Sequence, residues 1–510
     1  MRRAAAAALA AGGLLLAGCG HGSSSPPTVS TASDTGSTST LSIPPPLTGG
    51  SRGAPDWLRF GVDAARSGVF RGPARITVRT VGSARRQRIE LPGTVDSSPI
   101  YLRGAEIGGA RHDVFVVTTT YGRTIALDAD SGRPLWVFTP AGFEGWAGSS
   151  QITTSTPLAS PDRRFVYSVS PDGRIHALRL ADGRELETGG WPVSVTLDPT
   201  HEKIAPALNL SRGLLLVATG GYIGDAPPYQ GHVVAIDERS GRLVNVFNTL
   251  CSDRRGLIDP PSCSASGSAI WARSGVVVEP GSGRLLVATG NAAWNGRTNW
   301  GDSVLELSPD GGRLLQAYTP TNQAELEAGD VDLGSTAPAL LGHGLAVQGG
   351  KDGLLRLLDL RRLNGRGGAI PRTGGELQTI AAPGDGGVFT APAVWREGGR
   401  TWLFVGTSSG TGAYRLVLGS RPRLESVWEN DRPGTSPVVA GGLLYVYDPG
   451  GALNVYPPSS REPVATLPAG PGHWNSPIVA DGRIALPEGD SNDHALIGVL
   501  DVHRVTPPEA

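Results

Sequence analysis

Short hydrophobic runs recur along the chain after residue 90, and each run is bounded by small or polar residues. In the clearest copy, Val114 to Val117 and Ile125 to Leu127 flank a turn with the sequence Tyr121-Gly122-Arg123. A Ser-Gly-Arg turn and Trp136 follow. Brief apolar runs between turn residues are typical of strands that are buried on both faces. The pattern therefore predicts many short antiparallel strands joined by tight turns.

A small residue followed by proline marks the start of most copies of this pattern. The marker prolines are Pro99, Pro157, Pro206, Pro338, Pro392, Pro437 and Pro477. Successive markers are 58, 49, 132, 54, 45 and 40 residues apart, and the longest interval holds an extra copy that begins near Val276. Eight units of roughly 40–50 residues, each with several strands, indicate a β-propeller.

A sheet that is apolar on both faces needs a neighbour on each side, and a closed ring of such sheets supplies one. The predicted fold class is therefore all-β: an eight-bladed β-propeller with four-stranded antiparallel blades over residues 55–510. Ile76 to Val78 and Arg88 to Leu91 are available to complete the last blade near Ile497 to Leu500. Several separate domains are the alternative, which is disfavoured because no linker interrupts the repeats.

The composition agrees with this architecture. The chain has 73 Gly and 41 Pro among 510 residues, a density that disfavours long helices. Its 45 Lys and Arg against 46 Asp and Glu give a net charge of -1, whereas nucleic-acid-binding proteins usually carry a basic excess. We predict a monomer without a nucleic-acid partner. Only Lys203 and Lys351 are lysines, which we attribute to the coding bias of a GC-rich genome.

The first residues are typical of an export signal. Arg2 and Arg3 precede an apolar stretch, residues 4–17, that is shorter than the roughly 20 residues needed to span a bilayer. The stretch ends in Leu16-Ala17-Gly18-Cys19, which resembles the lipobox of bacterial lipoproteins. The resemblance implies that residues 1–18 are a signal peptide and that Cys19 carries lipid. The alternative is an ordinary signal peptide in which Cys19 is incidental.

Residues 19–54 contain mostly Ser, Thr, Pro and Gly and few charges. Such a composition cannot bury a core, so it predicts a disordered tether. With lipid on Cys19, the protein would be exported and anchored to the bacterial cell membrane on its extracytoplasmic face. The membrane is then one predicted partner.

Cys251 and Cys263 lie 12 residues apart in a loop rich in Pro, Asp and Ser. In an exported protein, two remaining cysteines are expected to be oxidised. A disulfide across this small loop would contribute about 3 kcal/mol in the chain-entropy model. Metal binding is the alternative, although two cysteines without a nearby pair of His or Cys make a poor zinc site. We favour the disulfide.

The repeat with Ala126-Leu127-Asp128, Ser131-Gly132-Arg133 and the trailing Trp136 resembles the repeat of pyrroloquinoline quinone (PQQ)-type propellers. This repeat occurs in eight-bladed quinoprotein alcohol dehydrogenases and in non-enzymatic outer-membrane assembly lipoproteins. The resemblance covers about residues 56–503. Such repeats specify a fold better than they specify a function.

One segment also resembles the dehydrogenases around their quinone. It comprises Ala269-Ile270-Trp271, residues 288–295 and Trp300-Gly301-Asp302-Ser303. The resemblance implies that Trp271 is the floor under PQQ and that Asn291 binds Ca²⁺. It places Asp330 where the family carries its catalytic Asp, and Lys351 where a cation contacts the quinone oxygens.

Two departures argue against the enzyme. The family's adjacent pair of cysteines is absent. The family's calcium-binding Glu is also missing, and the nearest carboxylate, Asp225, is displaced by about one position, although Ca²⁺ needs roughly six to eight oxygens. The structural alternatives are packing between blades for Trp271, a turn for Asn291, loop capping for Asp330 and a salt bridge for Lys351.

We therefore predict a lipid-anchored, extracytoplasmic propeller that acts as a binding platform in the cell envelope. Its expected ligand is an envelope protein or a small molecule at the funnel of the propeller. The alternative is a PQQ- and calcium-dependent quinoprotein dehydrogenase that acts on an alcohol or sugar and uses Asp330 as its base. PQQ and calcium are cofactors only under this alternative.

Overall fold

The computed structural model describes residues 56–368 and 372–505. The predicted signal peptide (1–18), the lipidated Cys19 and the predicted tether (19–54) lie outside the described residues. In the part that the structure describes, no helix is long and apolar enough to cross a bilayer.

Eight four-stranded antiparallel sheets form the blades of one propeller, as predicted. In blades 1 to 4 the strands are, from the central channel outward, Ile100–Ile107, Ala110–Thr118, Thr124–Asp128 and Pro134–Phe138; Leu158–Ala159, Phe165–Ser170, Arg174–Arg179 and Val193–Ser194; Asn209–Ser211, Leu214–Ala218, His232–Asp237 and Leu243–Asn248; Val277–Val278, Leu285–Ala288, Val304–Leu307 and Leu314–Tyr318. In blades 5 to 8 they are Ala339–Gly342, Leu345–Gln348, Leu354–Asp359 and Gln378–Ala381; Ala393–Glu397, Arg400–Gly406, Thr411–Val417 and Arg423–Asn430; Val438–Ala440, Leu443–Asp448, Ala452–Tyr456 and Ala465–Pro468; Ile478–Ala480, Arg483–Glu488, Gly498–Arg504 and Arg85–Leu91.

Few other elements are present. Glu202–Lys203 pairs antiparallel with Gly220–Gly221, and Val69–Phe70 pairs parallel with the first strand of blade 7. Two short helices span Phe143–Trp146 and Gln323–Gly329. Turns of 3₁₀ helix are found at Val81–Ser83, Pro260–Ser262, Leu333–Ser335, Pro383–Asp385 and Ser491–Asp493.

The sequence markers locate the blades correctly. A marker proline directly precedes the first strand of blades 1, 2, 5, 6, 7 and 8, and it lies three residues before that of blade 3. Proline suits this position because it lacks an N–H group for the sheet. The unmarked copy forms blade 4.

The ring closes through a strand from the N-terminal side. Arg85–Leu91 pairs antiparallel with Gly498–Arg504 and becomes the fourth strand of blade 8. The predicted role of Arg88 to Leu91 is thus confirmed. Ile76 to Val78 does not join this blade, because Ile76 is instead buried in the apolar layer around blades 7, 8 and 1.

The hydrophobic core lies between the blades. The layer between blades 2 and 3, for example, contains Tyr167 and Val169 from one sheet and Leu215 and Val217 from the next. Similar layers separate the other neighbours around the ring. Each sheet therefore buries both faces, which explains the uninterrupted apolar runs in the sequence.

Trp136 shows why the repeat ends in an aromatic residue. Its indole Nε1 donates to the carbonyl oxygen of Leu180 in blade 2 at 2.8 Å. Its ring packs on Gly183, where a Cβ atom would lie 2.7 Å from the ring and where φ is +71°. The Asp-Gly-Arg turn of one blade is thus the docking surface for the last strand of the blade before it.

Residues 56–76, which we call the hub segment, cross the central channel. Backbone groups from Trp57 to Ala74 hydrogen-bond the first strands or adjoining hairpins of blades 1, 2, 4, 6, 7 and 8. Arg59 reaches blade 3 through the carbonyl oxygen of Leu210 at 2.8 Å. Ala65 packs against the apolar layer between blades 4 and 5. The hub segment therefore ties all eight blades together.

Arg66 is the most buried charged group of the hub segment, and burial lowers its pKa to about 9. Its guanidinium donates to four carbonyl oxygens, those of Phe60, Ala207, Leu208 and Ser274, at 2.6–3.3 Å. These carbonyl groups come from the hub segment itself and from the approaches to blades 3 and 4.

We expect Arg66→Met to lower the free energy of unfolding by more than about 3 kcal/mol, because each buried carbonyl left without a donor costs roughly 1–3 kcal/mol. Arg79→Met is the matched control, since Arg79 is exposed and makes no hydrogen bond or ion pair within the described ranges. Denaturant unfolding measures both. Equal stability of the two variants would contradict the role of the hub segment.

Candidate functional site

Strand direction alternates within a blade, so two kinds of loop meet at one end of the ring: those between blades, and those that join second and third strands. We call this end the funnel. The hub segment lies toward the opposite end, where first and second strands are joined. All five residues predicted for a quinone or calcium site lie in funnel loops of blades 3 to 5: Asp225, Trp271, Asn291, Asp330 and Lys351.

Gly290 is at the centre of this group. A Cβ atom at Gly290 would collide with Oδ1 of Asp332 and would lie 2.9 Å from Nε1 of Trp271. The backbone N–H of Asn291 donates to Oδ1 of Asp332 at 2.8 Å. The Thr-Gly-Asn sequence therefore brings Trp271, Asn291 and Asp332 side by side.

The side chain of Lys351 contacts two aspartates. Its Nζ forms an ion pair with Oδ2 of Asp332, and it lies 3.5 Å from Oδ1 of Asp330. Burial opposes the charge on Lys351, but the two carboxylates outweigh it and raise the pKa of this ammonium group. The side chain of Asp332 is almost fully buried, whereas that of Asp330 is 61% exposed. Asp332, which the sequence did not single out as a site residue, is therefore the buried carboxylate of the pair.

Several buried polar atoms of this region have no hydrogen-bond partner among the described residues. They are Nε1 of Trp271, Oδ1 of Asn291, Oδ2 of Asp302 and both amide atoms of Gln230. A buried polar atom without a partner costs roughly 1–3 kcal/mol, so such atoms usually mark bound water or ligand. The structure thus has unmet hydrogen-bonding capacity beside Trp271 and Asn291.

Asp225 lies near this group without joining it. Its Oδ1 accepts a hydrogen bond from the hydroxyl of Tyr229 at 2.9 Å, and the Tyr229 ring lies 6.4 Å from that of Trp271. Burial raises the pKa of Asp225, and the charges of Asp332 and Asp330 act in the same direction. Asp225 is therefore within electrostatic reach of both aspartates.

The arrangement does not fit a calcium cage. The carboxylates of Asp225, Asp330 and Asp332 do not bring their oxygens within 4.8 Å of one another in the described structure. The ammonium of Lys351 already neutralises Asp332. Ca²⁺ needs roughly six to eight oxygens around one point, which these side chains do not supply.

Asp302 is a further carboxyl group of the funnel, and sequence reasoning gave it no role. Its backbone N–H donates to the carbonyl oxygen of Gly290 at 2.9 Å, and its Oδ1 accepts from the N–H of Leu333 at 3.1 Å. Burial raises the pKa of Asp302 to about 7, and Asp332 adds to the shift. A carboxyl group that titrates near neutral pH in a cleft is a candidate functional group.

A second polar cluster forms the floor of the funnel around Asp96. Oδ1 of Asp96 accepts from Arg273 at 3.0 Å, and Oδ2 lies 2.8 Å from Nδ1 of His473 and 2.6 Å from the hydroxyl of Ser491. Arg273 and His473 outweigh the effect of burial and hold the pKa of Asp96 well below its usual range. Asp96 is thus a fixed negative charge.

His473, Asp96 and Asp490 present ligand atoms within 4.8 Å of one another, which is a spacing that a metal ion can use. Arg273 already provides the positive charge beside Asp96, and its guanidinium lies 5.3 Å from the ring centroid of Trp474. The ring of His473 stacks on Trp474 at 3.9 Å. We therefore interpret the cluster as an ion-pair network. The side chain of Asp490 is partly exposed.

Sequence reasoning missed Asp96, Arg273 and His473 as site residues. All three lie a few residues before the first strand of a blade. Because the chain enters each blade from the funnel, this position in every repeat lies near the channel axis. A search of that position would have found them.

Cys251 and Cys263 form the predicted disulfide, with sulfur atoms 2.07 Å apart. Their loop packs with Leu250, Ile258 and Ala292. Ala292 follows Asn291, so the disulfide loop supports the outer side of the candidate site. The alternative of a metal site at these cysteines is wrong.

A family model described as PQQ_2, outer membrane protein assembly factor BamB, matches residues 86–301. Quinohemoprotein alcohol dehydrogenase ADH IIB of Pseudomonas putida is 26% identical over 241 residues, which are 43% of this chain and 34% of that protein. The chain thus spans about a third of the length of the curated relatives that it matches. The predicted resemblance to PQQ-type repeats is confirmed.

Solved structures share the fold over most of the chain. Quinohemoprotein alcohol dehydrogenase ADHIIG of Pseudomonas putida HK5 superposes with a TM-score of 0.64 at 15% identity, covering 89% of this chain and 81% of that one. BamB of Moraxella catarrhalis superposes with a TM-score of 0.50 at 13% identity, covering 82% and 99%. At these identities the likeness shows the fold alone.

Asp302→Asn should remove a pH-dependent loss of stability. The pKa of Asp302 is higher in the folded protein than its ordinary value of 3.8, so ionisation opposes folding. The penalty is absent below about pH 4, grows toward pH 7 and is constant above it. At pH 8 the variant should be more stable than the parent by up to about 4 kcal/mol, and at pH 4 the two should match.

Denaturant unfolding at both pH values tests this, with Asp431→Asn, at an exposed position, as control. Asparagine tolerates the left-handed backbone of residue 302, where φ is +47°, so strain should not mask the effect. A stability difference that does not change between pH 4 and pH 8 would contradict the raised pKa.

Proposed function

We propose that the protein is a lipid-anchored, extracytoplasmic propeller that serves as a binding platform in the bacterial cell envelope, with the funnel as its binding site. The observation that carries this proposal is the set of buried, unpaired polar atoms beside Gly290: Nε1 of Trp271 and Oδ1 of Asn291. Because the hub segment crosses the channel below, a ligand enters the funnel from one side only.

The funnel face also offers a surface for a protein partner. Leu197, Ile223 and Ile497 lie in funnel loops of blades 2, 3 and 8, and their side chains are among the most exposed large apolar groups of the described residues. An envelope protein would bury these side chains while the polar floor remains available for a small ligand. We place protein docking at the rim and small-molecule binding inside.

Native mass spectrometry of the protein purified from membranes in mild detergent tests both parts. Asn291→Ala should reduce the occupancy of a co-purified small ligand about tenfold, the effect of losing one hydrogen bond worth about 1.4 kcal/mol. Its melting temperature should be unchanged, since Oδ1 of Asn291 has no protein partner within the described ranges. Ile223→Ser should instead reduce the amount of a co-purified protein partner.

Arg421→Met, at an exposed position far from the funnel loops in sequence, is the control for this experiment. It should retain both kinds of bound species. If Asn291→Ala and Ile223→Ser both retain everything that the parent protein retains, the funnel is not the binding site.

The second candidate function is a PQQ- and calcium-dependent dehydrogenase acting on an alcohol or sugar. The unpaired Nε1 of Trp271 and Oδ1 of Asn291 favour it, and the matched relatives are named as quinone-dependent alcohol dehydrogenases. The ion pair of Lys351 with Asp332 and the separated carboxylates oppose it. Purified protein mixed with PQQ and CaCl₂ distinguishes the two. An absorption band of bound quinone and alcohol-dependent dye reduction, both lost in Trp271→Ala and Asp330→Ala, would establish the enzyme.

The membrane anchor depends on Cys19. Cys19→Ser should move the protein from the detergent phase to the aqueous phase in Triton X-114 partitioning and should remove the lipid mass from the N-terminal peptide. The Cys251→Ser/Cys263→Ser double variant is the control, because it removes two cysteines without touching the anchor. Continued detergent partitioning of Cys19→Ser would contradict lipidation.

A further inference from the structure

Lys203 occupies an unusual place for one of only two lysines among 45 basic residues. It lies on the short strand Glu202–Lys203 at the approach to blade 3. Successive side chains of a strand point to opposite faces, so the two residues face different surroundings. Glu202 contacts Nε2 of His232 at 3.0 Å inside the protein. Lys203 lies beside the funnel floor, because the carbonyl oxygen of Ala205, two residues along, accepts from Oγ1 of Thr154 at 3.1 Å, and Arg273 donates to the carbonyl oxygen of Thr154 at 3.2 Å.

Lys203 is buried, with 8% of its surface exposed, and its side chain forms no ion pair or hydrogen bond with the described residues. Burial lowers the pKa of its amine to about 7, and the positive charge of Arg273 acts in the same direction, while Asp96 and Asp490 act against it. A buried ammonium group without a counter-ion is energetically costly. Lys203 is therefore either a neutral amine or paired with an anion that the described residues do not supply.

Neither of the nearby carboxylates forms an ion pair with Lys203, and each contacts other groups. Both oxygens of Asp96 are occupied by Arg273, His473 and Ser491. Oδ1 of Asp490 accepts from the backbone N–H of Asn492 at 2.8 Å and lies 3.4 Å from Nδ1 of His473. Neither carboxylate therefore provides the counter-ion for Lys203.

The guanidinium of Arg273 has an N–H donor in the same region that is unpaired within the described ranges. Nη1 binds the carbonyl oxygens of Asp96 and Thr154 at 2.8 and 3.2 Å, and Nη2 binds Oδ1 of Asp96. Nε has no partner among the described residues. The side of a guanidinium group that carries Nε matches the two oxygens of a carboxylate.

We propose that Lys203 and Arg273 form a subsite for a carboxylate group of the ligand that the funnel binds. The inference rests on the proposed function, and it names the chemical class of that ligand as a small carboxylic acid. Lys203 and Arg273 lie beside the carboxylates of Asp96 and Asp490. A carboxylate ligand adds one negative charge there, whereas a phosphate dianion adds two, so repulsion from Asp96 and Asp490 favours the carboxylate.

The proposal fixes how binding depends on pH. A bound carboxylate favours the ammonium form of Lys203, so its pKa in the complex is higher than in the free protein. The contribution of Lys203 to affinity is then complete below about pH 7 and is lost as the pH rises through the pKa of the complex. Asp96, already ionised, and Arg273, always charged, do not change over this range.

Lysine-selective isotope labelling tests the subsite directly, because the whole chain gives only two lysine side-chain signals. Lys203 should titrate near pH 7, and Lys351 should titrate at a higher pH because Asp332 and Asp330 raise its pKa. Sodium acetate at saturating concentration should raise the titration midpoint of Lys203 by at least one pH unit, a tenfold preference for the ammonium form. Inorganic phosphate at equal ionic strength should raise it less.

Three variants complete the experiment. Lys203→Met should lose the acetate binding that calorimetric titration measures, Lys203→Arg should keep it without the loss near pH 7, and Arg421→Met should match the parent. No shift of Lys203 with acetate, or a larger shift with phosphate, would overturn the carboxylate subsite. If Asn291→Ala loses a co-purified ligand that Lys203→Met retains, the subsite is wrong and the funnel platform stands. If both variants retain it, the platform itself is wrong.

Discussion

The whole molecule depends on one constraint: every sheet is apolar on both faces and must be covered on both. Tyr167 and Val169 in one blade need Leu215 and Val217 in the next, and the same requirement passes around the ring until blade 8 meets blade 1. Closure by Arg85–Leu91 satisfies the last face. The hub segment then joins the inner strands, so the blades are held both to their neighbours and to a common centre.

This construction confines chemistry to one end. The hub segment lies toward the end where first and second strands join, and the loops that enter the blades carry the titratable groups at the funnel. Two ion pairs with buried carboxylates form there, Lys351 with Asp332 and Arg273 with Asp96. Polar side-chain atoms at the same end have no hydrogen-bond partner among the described residues, notably those of Trp271, Asn291 and Lys203. A rigid wall with unsatisfied polar groups is the arrangement expected of a binding site.

Sequence patterns located the blades because the determinants are local. A marker proline, an apolar run and a Gly turn lie within one repeat, and Trp136 needs only the glycine of the next. The prediction that Ile76 to Val78 completes the last blade was wrong, because a β-branched run in the sequence does not distinguish a blade strand from a buried part of the hub segment. Resemblance brought Trp271, Asn291 and Lys351 to one place, but Asp332 emerged only from its burial. The Asp96–Arg273 pair joins residues far apart in sequence, and no single-sequence pattern reveals such a contact.

The hub segment has a consequence for the order of assembly. Pro73 and Ala74 of the hub segment hydrogen-bond the hairpin at Asp481 and Gly482, so these two residues cannot reach their final place until nearly the whole chain exists. A topology with such distant pairings is slow to form, because a long loop must close before its contacts stabilise it. A nascent chain therefore cannot seat the end of the hub segment during most of its synthesis, and a product that stops short of blade 8 lacks the hairpin that receives Pro73 and Ala74.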